Sequence, residues 1–235
     1  MQNQTNSEPV KYDYVIIGFG KAGKTLASFY AGKNKTVAMI EKSAAMYGGT
    51  CINVACIPSK SLVKSARQSK ELRLQGFAAK ADFYRRAIEE KSQLTAMLRS
   101  KNYDKLNSDP NIDVYNGTGS FVSANIIKIE TDSEILWLQA EQIIINTGST
   151  PFFPEIEGLA GNPRVYSSES LLELTRLPER LVIIGGGRIS LEFASIYSGF
   201  GSQVTVLCRG ERLLPQEDED IVAEIKQVLE LNSIH

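Results

Sequence analysis

Two stretches of the 235-residue chain follow one pattern, in which an apolar run leads directly into a glycine turn. They read YVIIGFGKAG near the N-terminus and LVIIGGGRIS in the last third of the chain. After each turn come a segment of helical propensity and a second short apolar run, KTVAMIEK in one case and SQVTVLC in the other. Strand, glycine turn, helix and strand is the opening of a parallel α/β sheet. The repeat therefore predicts an α/β protein with two Rossmann-like units in succession.

The first glycine turn, GFGKAGKT, fits two phosphate-binding templates at once. In a P-loop, Lys24 would bind phosphates and Thr25 would bind a magnesium ion that also needs an acid on a later strand. A dinucleotide turn instead requires an acid about twenty residues on, at the end of the next strand. Glu41 stands there, whereas the later apolar runs IIINTG and LVIIGGG end in no carboxylate. The sequence favours the dinucleotide turn and leaves a P-loop nucleoside triphosphatase as a remote alternative. The glycines of the dinucleotide turn are Gly18, Gly20 and Gly23.

A pair of cysteines, Cys51 and Cys56, lies five residues apart in MYGGTCINVACIPSK. A close thiol pair in a reducing compartment is more often catalytic or metal-binding than structural. We predict no metal site, because no second Cys or His pair stands at ligand spacing and the only histidine is the last residue. A disulfide needs Cα atoms within about 7 Å, which an ideal helix does not offer at this spacing. The turn around Asn53 is therefore expected to be distorted, and Pro58 also opposes a regular helix through the region.

These motifs together resemble those of one enzyme family. The matching stretches are IIGFGKAG, IEK, GGTCINVACIPSK, INTGSTP and IIGGGRISLEFA. They are similar to the class I pyridine nucleotide-disulfide oxidoreductases, which include dihydrolipoamide dehydrogenase, glutathione reductase and mercuric reductase. The sequences of the glycine turn and of the cysteine motif are most similar to those of the branch that contains the reactive-chlorine-resistance flavoprotein. The resemblance runs from about Tyr12 to the end of the chain.

The resemblance implies a role for each matching residue. Cys51 would be the thiol that meets substrate, and Cys56 the thiolate stacked on the flavin of FAD. Lys60 would lie near the flavin and pair with Glu192. Hydride would pass from NAD(P)H to FAD, and electrons would leave through the two thiols. The residues implied in FAD binding are Gly18, Gly20, Gly23, Glu41, Lys42, Gly49, Thr50, Lys60, Gly119, Thr147, Gly148 and Ser149, and those implied in NAD(P)H binding are Gly185, Gly187 and Arg209.

The second glycine turn departs from the family pattern. Ser190 stands where the third glycine is usual, which predicts looser packing of helix on strand, and Arg188 replaces a common aromatic residue. The following strand ends on Cys208, where relatives that use NADH carry a glutamate. Loss of that carboxylate removes repulsion against a 2′-phosphate, and Arg209 and Arg212 could supply positive charge. The sequence therefore favours NADPH slightly over NADH.

The domain organisation follows from these motifs. We expect a disordered tail over residues 1–11 and an FAD-binding domain over residues 12–155. Within that domain, NIDVYNGTGSFVS, NIIKIE and EILWLQ are expected to form a small antiparallel meander, and EQIIINTGS a separate strand that returns to the main sheet. An incomplete NAD(P)-binding domain is expected over residues 156–235, and EDEDIVAEIKQVLEL within it is expected to be a helix with acids in its first turn. The dimerisation domain of the family is not found in this sequence, so an alternative is a truncated flavin-binding or inactive fragment of such an enzyme.

Charge and hydropathy limit the partners of the chain. The formal net charge is −1, which does not suggest a nucleic acid or an anionic membrane as a partner. The N-terminal residues are polar and lack the apolar core of a signal peptide, so a cytoplasmic location is predicted. The expected substrate is a small molecule, a disulfide or a metal ion. A homodimer is expected for the full-length family.

Overall fold

The computed structural model describes residues 8–210 and 212–235. These residues form two compact units. The first is built from the chain up to Cys56 and from Leu94–Thr150, and the second from Ile57–Gln93 and Pro151–His235. The assignment of residues 12–155 and 156–235 to two cofactors stays a prediction, because a division by packing does not show what each part binds.

A six-stranded sheet is the centre of the first unit. Its strands are β1 (Val10–Ile17), β2 (Val37–Glu41), β3 (Ile112–Asn116), β4 (Thr118–Ser123), β5 (Ile126–Glu130) and β6 (Ile135–Ile145). The order across the sheet is β3-β2-β1-β6-β5-β4. The first four strands in this order are parallel, and β5 and β4 add antiparallel pairs at the β6 side. The predicted α/β class is therefore confirmed.

Both faces of the parallel strands are covered. Along β1, Ile16 packs into a core cluster with Met39, whereas Val15 and Ile17 point to the opposite face and pack with Ile40. All five residues of β2 are buried. A continuous apolar run of this kind is typical of a parallel strand that lies between two layers.

The meander predicted between Asn111 and Asn146 is correct for β4, β5 and the first half of β6, but it differs from the structure in two respects. Strand β3 pairs in parallel with β2, so it belongs to the parallel part of the sheet. The stretches EILWLQ and EQIII, expected to be separate strands, form the single strand β6. Polar residues interrupt the apolar pattern at Gln139, Glu141 and Gln142. The strand nevertheless continues, because β6 is hydrogen-bonded to β5 on one side and to β1 on the other.

Two residues of the predicted disordered tail belong to a strand. Val10 and Lys11 begin strand β1, because they pair with Leu138 and Gln139 of β6. The first seven residues of the predicted tail lie outside the described residues.

The helices connect these strands and extend into the second unit. They are α1 (Lys21–Ala31), α2 (Thr50–Asn53), α3 (Cys56–Glu71), α4 (Gly76–Asn107), α5 (Ser168–Leu171), α6 (Arg188–Phe200) and α7 (Glu219–Leu231), with a 3₁₀ turn at Ala44–Met46. Among the residues that the structure describes, no helix is both long and apolar enough to cross a membrane.

The second unit repeats the order of strand, glycine turn, helix and strand. Strand β7 (Arg180–Ile184) leads into α6, and β8 (Gln203–Leu207) pairs with β7 in parallel. Helix α7 follows, and its first turn carries Glu219 and Asp220, as predicted from the preference of acids for a helix N-terminus. Large apolar side chains fill the core between these elements and the part of α3 and α4 in this unit.

Candidate functional site

The first glycine turn lies against the end of strand β6. Gly18 has a φ of +106°, a conformation that glycine adopts without strain. A Cβ at Gly18 would stand 2.2 Å from the carbonyl oxygen of Asn146, and one at Gly20 would stand 2.7 Å from the Asn146 side-chain nitrogen. A Cβ at Gly23 would meet the same nitrogen at 2.6 Å. One neighbour therefore leaves no room for a side chain at any of the three glycines.

Asn146 is a functional candidate that the sequence analysis missed. Its side-chain NH₂ donates to the Gly18 carbonyl at 3.0 Å, and its backbone N–H donates to the Ile17 carbonyl at 2.8 Å. Asn146 thereby ties the end of β6 to the turn after β1. A signal was present, because a polar residue ends an apolar strand directly before the Thr147-Gly148-Ser149 turn.

Glu41 lies at the end of β2, as predicted, and is only 8% exposed. One carboxylate oxygen accepts a hydrogen bond from the Phe19 N–H at 2.9 Å, and the other accepts from the Ser43 N–H at 3.1 Å. The carboxylate therefore fastens the glycine turn to the neighbouring strand. Each oxygen can still accept a further hydrogen bond. The contact of Glu41 with a ribose hydroxyl stays a prediction.

The geometry disfavours the P-loop alternative. Helix α1 begins at Lys21, inside the stretch that a P-loop keeps as an open loop around phosphates. The Lys24 ammonium donates to Asn102 on α4, and the Thr25 hydroxyl donates to the Lys21 carbonyl at 2.7 Å. Both side chains that would bind phosphate and magnesium therefore have partners in the protein.

A second pair of glycines brings helix α2 to the same turn. Gly48 and Gly49 have φ values of +90° and +73°. A Cβ at Gly49 would stand 2.5 Å from the Cα of Gly20. The first turns of α1 and α2 therefore approach each other with backbone in contact. Thr50 begins α2, and its hydroxyl lies 4.0 Å from the position of a Cβ on Gly148.

The remaining predicted FAD residues of this unit are spread over three strands. Lys42 is exposed directly after β2, and the Thr147-Gly148-Ser149 turn is exposed directly after β6. Gly119 lies in β4, where a Cβ would be 3.3 Å from Ile40 of β2. The glycine turn, Glu41 and the Thr147 turn thus follow the carboxyl ends of β1, β2 and β6, which is the edge where open α/β sheets bind ligands.

The two cysteines are brought together. Helix α2 ends at Asn53 and α3 begins at Cys56, so the helical path is broken between them, as predicted. Cys51 and Cys56 are thiols joined by a hydrogen bond. That hydrogen bond, followed by burial, raises the pKa of Cys51, while the charges of Lys21 and Lys24 act to lower it.

Asn53 maintains the break between the two helices. It is 5% exposed, and its NH₂ group donates to the carbonyls of Tyr47 and Gly49 at 3.0 and 2.9 Å. Its side-chain oxygen accepts from Arg99 Nε of α4 at 2.9 Å. The sequence indicated a distorted turn here but not the arginine that helps to hold it.

In the second unit, Lys60 and Glu192 form the predicted ion pair. The Lys60 ammonium lies 2.6 Å from Glu192 Oε1, and the Ser59 hydroxyl donates to the same oxygen at 2.8 Å. Burial acts to raise the pKa of Glu192, but the hydrogen bonds from Lys60 and Ser59 outweigh it and hold that pKa below its usual value. The carboxylate is therefore charged near neutrality. Ser59 was not predicted, although it is adjacent to Lys60 in the PSK motif.

The second glycine turn is tightly packed at one position. Gly185 has a φ of +115°, and Gly187 is the N-cap residue of α6. A Cβ at Gly186 would stand 2.3 Å from Cys208 Sγ. The Ser190 hydroxyl lies 3.4 Å from the position of a Cβ on Gly185, so this serine faces the turn.

Two of the three arginines near this turn pair with acids. Arg188 donates to the Glu217 carboxylate, which raises the pKa of Arg188. Arg212 donates to the Glu217 backbone carbonyl and lies 3.5 Å from the Glu219 carboxylate. Arg209 is exposed beyond the end of β8. Of the two arginines expected to favour a 2′-phosphate, Arg212 thus has an acidic partner, and Arg209 is exposed.

Comparison with known proteins identifies the family. The family model described as pyridine nucleotide-disulphide oxidoreductase matches residues 12–235. The chain belongs to this family. Among the residues described in this member of the family, no three His, Cys, Asp or Glu side chains are grouped as a metal site.

Relatives and solved structures agree with the family assignment. A protein of Escherichia coli K12, named probable pyridine nucleotide-disulfide oxidoreductase RclA, is 45% identical over 219 residues, which are 93% of this chain and 47% of that protein. A mercuric reductase of Bacillus cereus is 34% identical over 224 residues, which are 93% of this chain and 34% of that protein. The solved Cu(II) complex of the HOCl-induced flavoprotein disulfide reductase RclA from Escherichia coli superposes with a TM-score of 0.87 and 43% identity, over 95% of this chain and 48% of that one. The fold predicted from the two glycine turns is confirmed, and the chain spans half or less of the length of these relatives.

Proposed function

We propose that the chain is the cofactor-binding part of an FAD-dependent NAD(P)H oxidoreductase in which Cys51 and Cys56 alternate between dithiol and disulfide. The observation that carries the proposal is the hydrogen-bonded pair of thiols. Cys51 stands two residues after Gly49, which contacts the first glycine turn at the ligand-binding edge of the parallel sheet. Bound FAD would supply a path for two electrons from a reduced nicotinamide to these thiols.

The residues at the first glycine turn fit an FAD diphosphate. Gly18, Gly20, Gly23 and Gly49 are positions where a Cβ would collide with protein atoms, so no side chain can stand there. Helix α1 begins at this turn without a side-chain cap and with no acid in its first turn. Such a helix start attracts anionic groups. We propose that Glu41, Lys42, Thr50, Gly119 and the Thr147-Gly148-Ser149 turn complete the FAD site.

The thiols would carry out the exchange with substrate. The Cys51 thiolate attacks one sulfur of a disulfide substrate, its S–S bond breaks, and one substrate thiolate leaves. The Cys56 thiolate then attacks the Cys51 sulfur and releases the second substrate thiolate. The two cysteines lose two electrons and form a disulfide, the substrate gains two electrons, and its two thiolates take up protons. The break between α2 and α3 lets the two sulfur atoms meet.

Lys60 and Glu192 would tune the same centre. Lys60 lies four residues after Cys56 on α3, so the two side chains share one face of that helix. We propose that the ammonium lies beside the flavin ring and favours negative charge on it. Glu192, which also accepts a hydrogen bond from Ser59, would orient Lys60, and its charge would offset the cost of burying the ammonium beneath a bound flavin.

For the nucleotide, we propose NADPH in preference to NADH. Gly185 and Gly187 would admit the diphosphate at the start of α6, and Arg209 would pair with the 2′-phosphate. Support comes from Cys208, a neutral side chain at the strand end where a carboxylate would repel that phosphate.

The substrate is proposed at the level of its chemistry. RclA is named a disulfide reductase and was solved as a Cu(II) complex, and other relatives are named mercuric reductases. A small-molecule disulfide or a thiol-binding metal ion is therefore proposed here. A homodimer and a cytoplasmic location stay predictions for the whole protein.

The visible spectrum of the purified 235-residue chain tests the proposal. We expect a flavin spectrum that gains a long-wavelength band on partial reduction, and NADPH should produce the band at lower concentration than NADH. Cys56→Ser should abolish the band, whereas Cys208→Ser, which removes the third thiol, should leave it. If the folded chain takes up no flavin on reconstitution, the proposed cofactor site is wrong.

The alternative is a flavin-binding fragment without turnover. It predicts a normal flavin spectrum with no NADPH-driven reduction of a disulfide or dye. Steady-state assays on the same preparation separate the two outcomes.

A further inference from the structure

The first turn of α1 lies in backbone contact with the first turn of α2, which contains Cys51, and it carries two lysines that the proposed exchange of electrons does not use. Lys21 and Lys24 stand three residues apart on α1, so they share one face of the helix. Helix α1, KAGKTLASFYA, contains no acid that could neutralise them. Arg99 and Lys105 lie on α4, the helix that also carries the Lys24 partner Asn102.

Lys24 is anchored and not free to move into solvent. Its side chain is partly buried, and its ammonium donates to the Asn102 side-chain oxygen. Asn102 is itself held, because its NH₂ group donates to the Leu98 carbonyl one turn earlier at 2.7 Å. One turn before Asn102 on α4, Arg99 donates to Asn53, two residues after Cys51. Helix α4 therefore fixes both Lys24 and the helix end beside Cys51.

Among the groups that act on the charge of Lys24, the Cys51 thiol differs from the others in sign. Burial lowers the pKa of Lys24, Cys51 raises it, and Lys21 and Lys105 lower it. Of these four contributions, only that of Cys51 favours the ammonium form. The effect is reciprocal: Cys56, on α3, and burial disfavour a thiolate at Cys51, whereas Lys21 and Lys24 favour it.

We propose that Lys24, together with Lys21, is a positioning residue that stabilises the thiolate of Cys51 and so sets the rate at which this thiol reacts. The cations act through Cys51 and do not bind substrate. The inference rests on the proposed function in one respect, which is that Cys51 is the thiol that meets substrate. Lys24, which fits the P-loop template in sequence, would thus act in thiol chemistry.

Alkylation of the reduced 235-residue chain with iodoacetamide tests the proposal. The Cys51 thiolate displaces iodide and forms a C–S bond, and fragment-ion mass spectrometry separates its product from that at Cys56. In Lys24→Gln the pH–rate profile of Cys51 should move up by about half a pH unit, the size expected for a partly exposed ion pair. At about pH 8 the thiolate fraction then falls about threefold and the rate about twofold, because a more basic thiolate is also more nucleophilic.

Four variants separate charge from structure. Lys24→Arg keeps the charge and should restore the profile, and Lys21→Gln combined with Lys24→Gln should move it further. Lys101→Gln, which removes an exposed lysine of α4, should leave it unchanged. Asn102→Ala loses the same hydrogen bond as Lys24→Gln but keeps the cation, so its shift should be less than half as large. Equal shifts in Asn102→Ala and Lys24→Gln, or an unmoved profile in the double variant, would overturn the proposal.

Salt provides a second measurement that needs no substitution. Raising the salt concentration from about 10 mM to about 1 M shortens the Debye length from about 30 Å to about 3 Å, so the Cys51 profile of the unmodified chain should move to higher pH. An unmoved profile would contradict the proposal even if Lys24→Gln does not fold. Neither measurement needs flavin or nicotinamide, so failure to bind FAD would refute the proposed function and leave this result intact.

Discussion

The contact between the two glycine-started helices makes a quantitative prediction for Gly49→Ala. Gly49 has a φ of +73°, and its Cβ would stand 2.5 Å from the Gly20 Cα. Its ψ of −171° places it in a region that is almost restricted to glycine, which costs an alanine about 1–3 kcal/mol, and forcing an extra methyl group into packed backbone costs about 1–3 kcal/mol more. The first unit should therefore lose about 2–6 kcal/mol of its free energy of unfolding.

Gly148→Ala is the matched control for that substitution. Gly148 has a φ of +72°, and the nearest atom to its Cβ position is 4.0 Å away, so only the conformational cost applies. Trp137, the only tryptophan, lies in β6 and reports on unfolding of the first unit. With a urea m-value of about 2 kcal/mol/M, a difference of about 2 kcal/mol places the fluorescence midpoint of Gly49→Ala about 1 M below that of Gly148→Ala. Coincident midpoints would show that Gly20 moves aside freely, and the close approach of α1 and α2 would not be required.

Three further predictions concern buried polar groups. Lys91 is 1% exposed and donates to the Leu172 carbonyl at 2.9 Å, so Lys91→Ala should cost about 3 kcal/mol in chemical unfolding followed by circular dichroism. Its exposed ion-pair partner makes a smaller contribution, and Glu173→Ala should cost less than about 1 kcal/mol; equal losses would contradict this division. Burial raises the pKa of Tyr84 to about 12, so the neutral phenol is favoured in the folded state. The contribution of Tyr84 to the free energy of unfolding is complete below the unfolded pKa of about 10 and declines between about pH 10 and 12. Tyr84→Phe should make the measured decline of stability over this pH range less steep. Asn53→Ala removes three hydrogen bonds from a buried site and should lower the urea midpoint of the Trp137 signal, with Asn53→Gln failing to restore it because the amide is displaced by one methylene.

The parts of the site that follow local rules were predictable from the sequence. The glycine turns, the acid at the end of β2 and the broken helix between the cysteines each depend on a few adjacent residues. The Lys60–Glu192 pair, 132 residues apart, was available only through the family resemblance.

Polar partners distant in sequence were not predictable. Asn146 and Gly18 are 128 residues apart, and Arg99 and Asn53 are 46 apart. Hydrophobic periodicity indicates which face of a strand or helix is buried, but it does not indicate which polar atom lies opposite. The continuity of β6 was missed for a related reason. From sequence alone its polar residues are typical of a turn, and only the pairing with β1 and β5 shows that the strand continues through them.

The double pairing of β6 determines where the chain tolerates insertions and deletions. The strand is in register with β1 from Leu138 to Ile145 and with β5 from Ile135 to Gln139. Removing one residue within it would turn the following side chains to the opposite face and draw Asn146 away from Gly18 by about 3.3 Å. The turn between β5 and β6, closed by the Thr131 N–H to Glu134 carbonyl bond, lies outside both ladders. Insertions and deletions should therefore be tolerated in that turn, because they leave the contact between Asn146 and Gly18 unchanged.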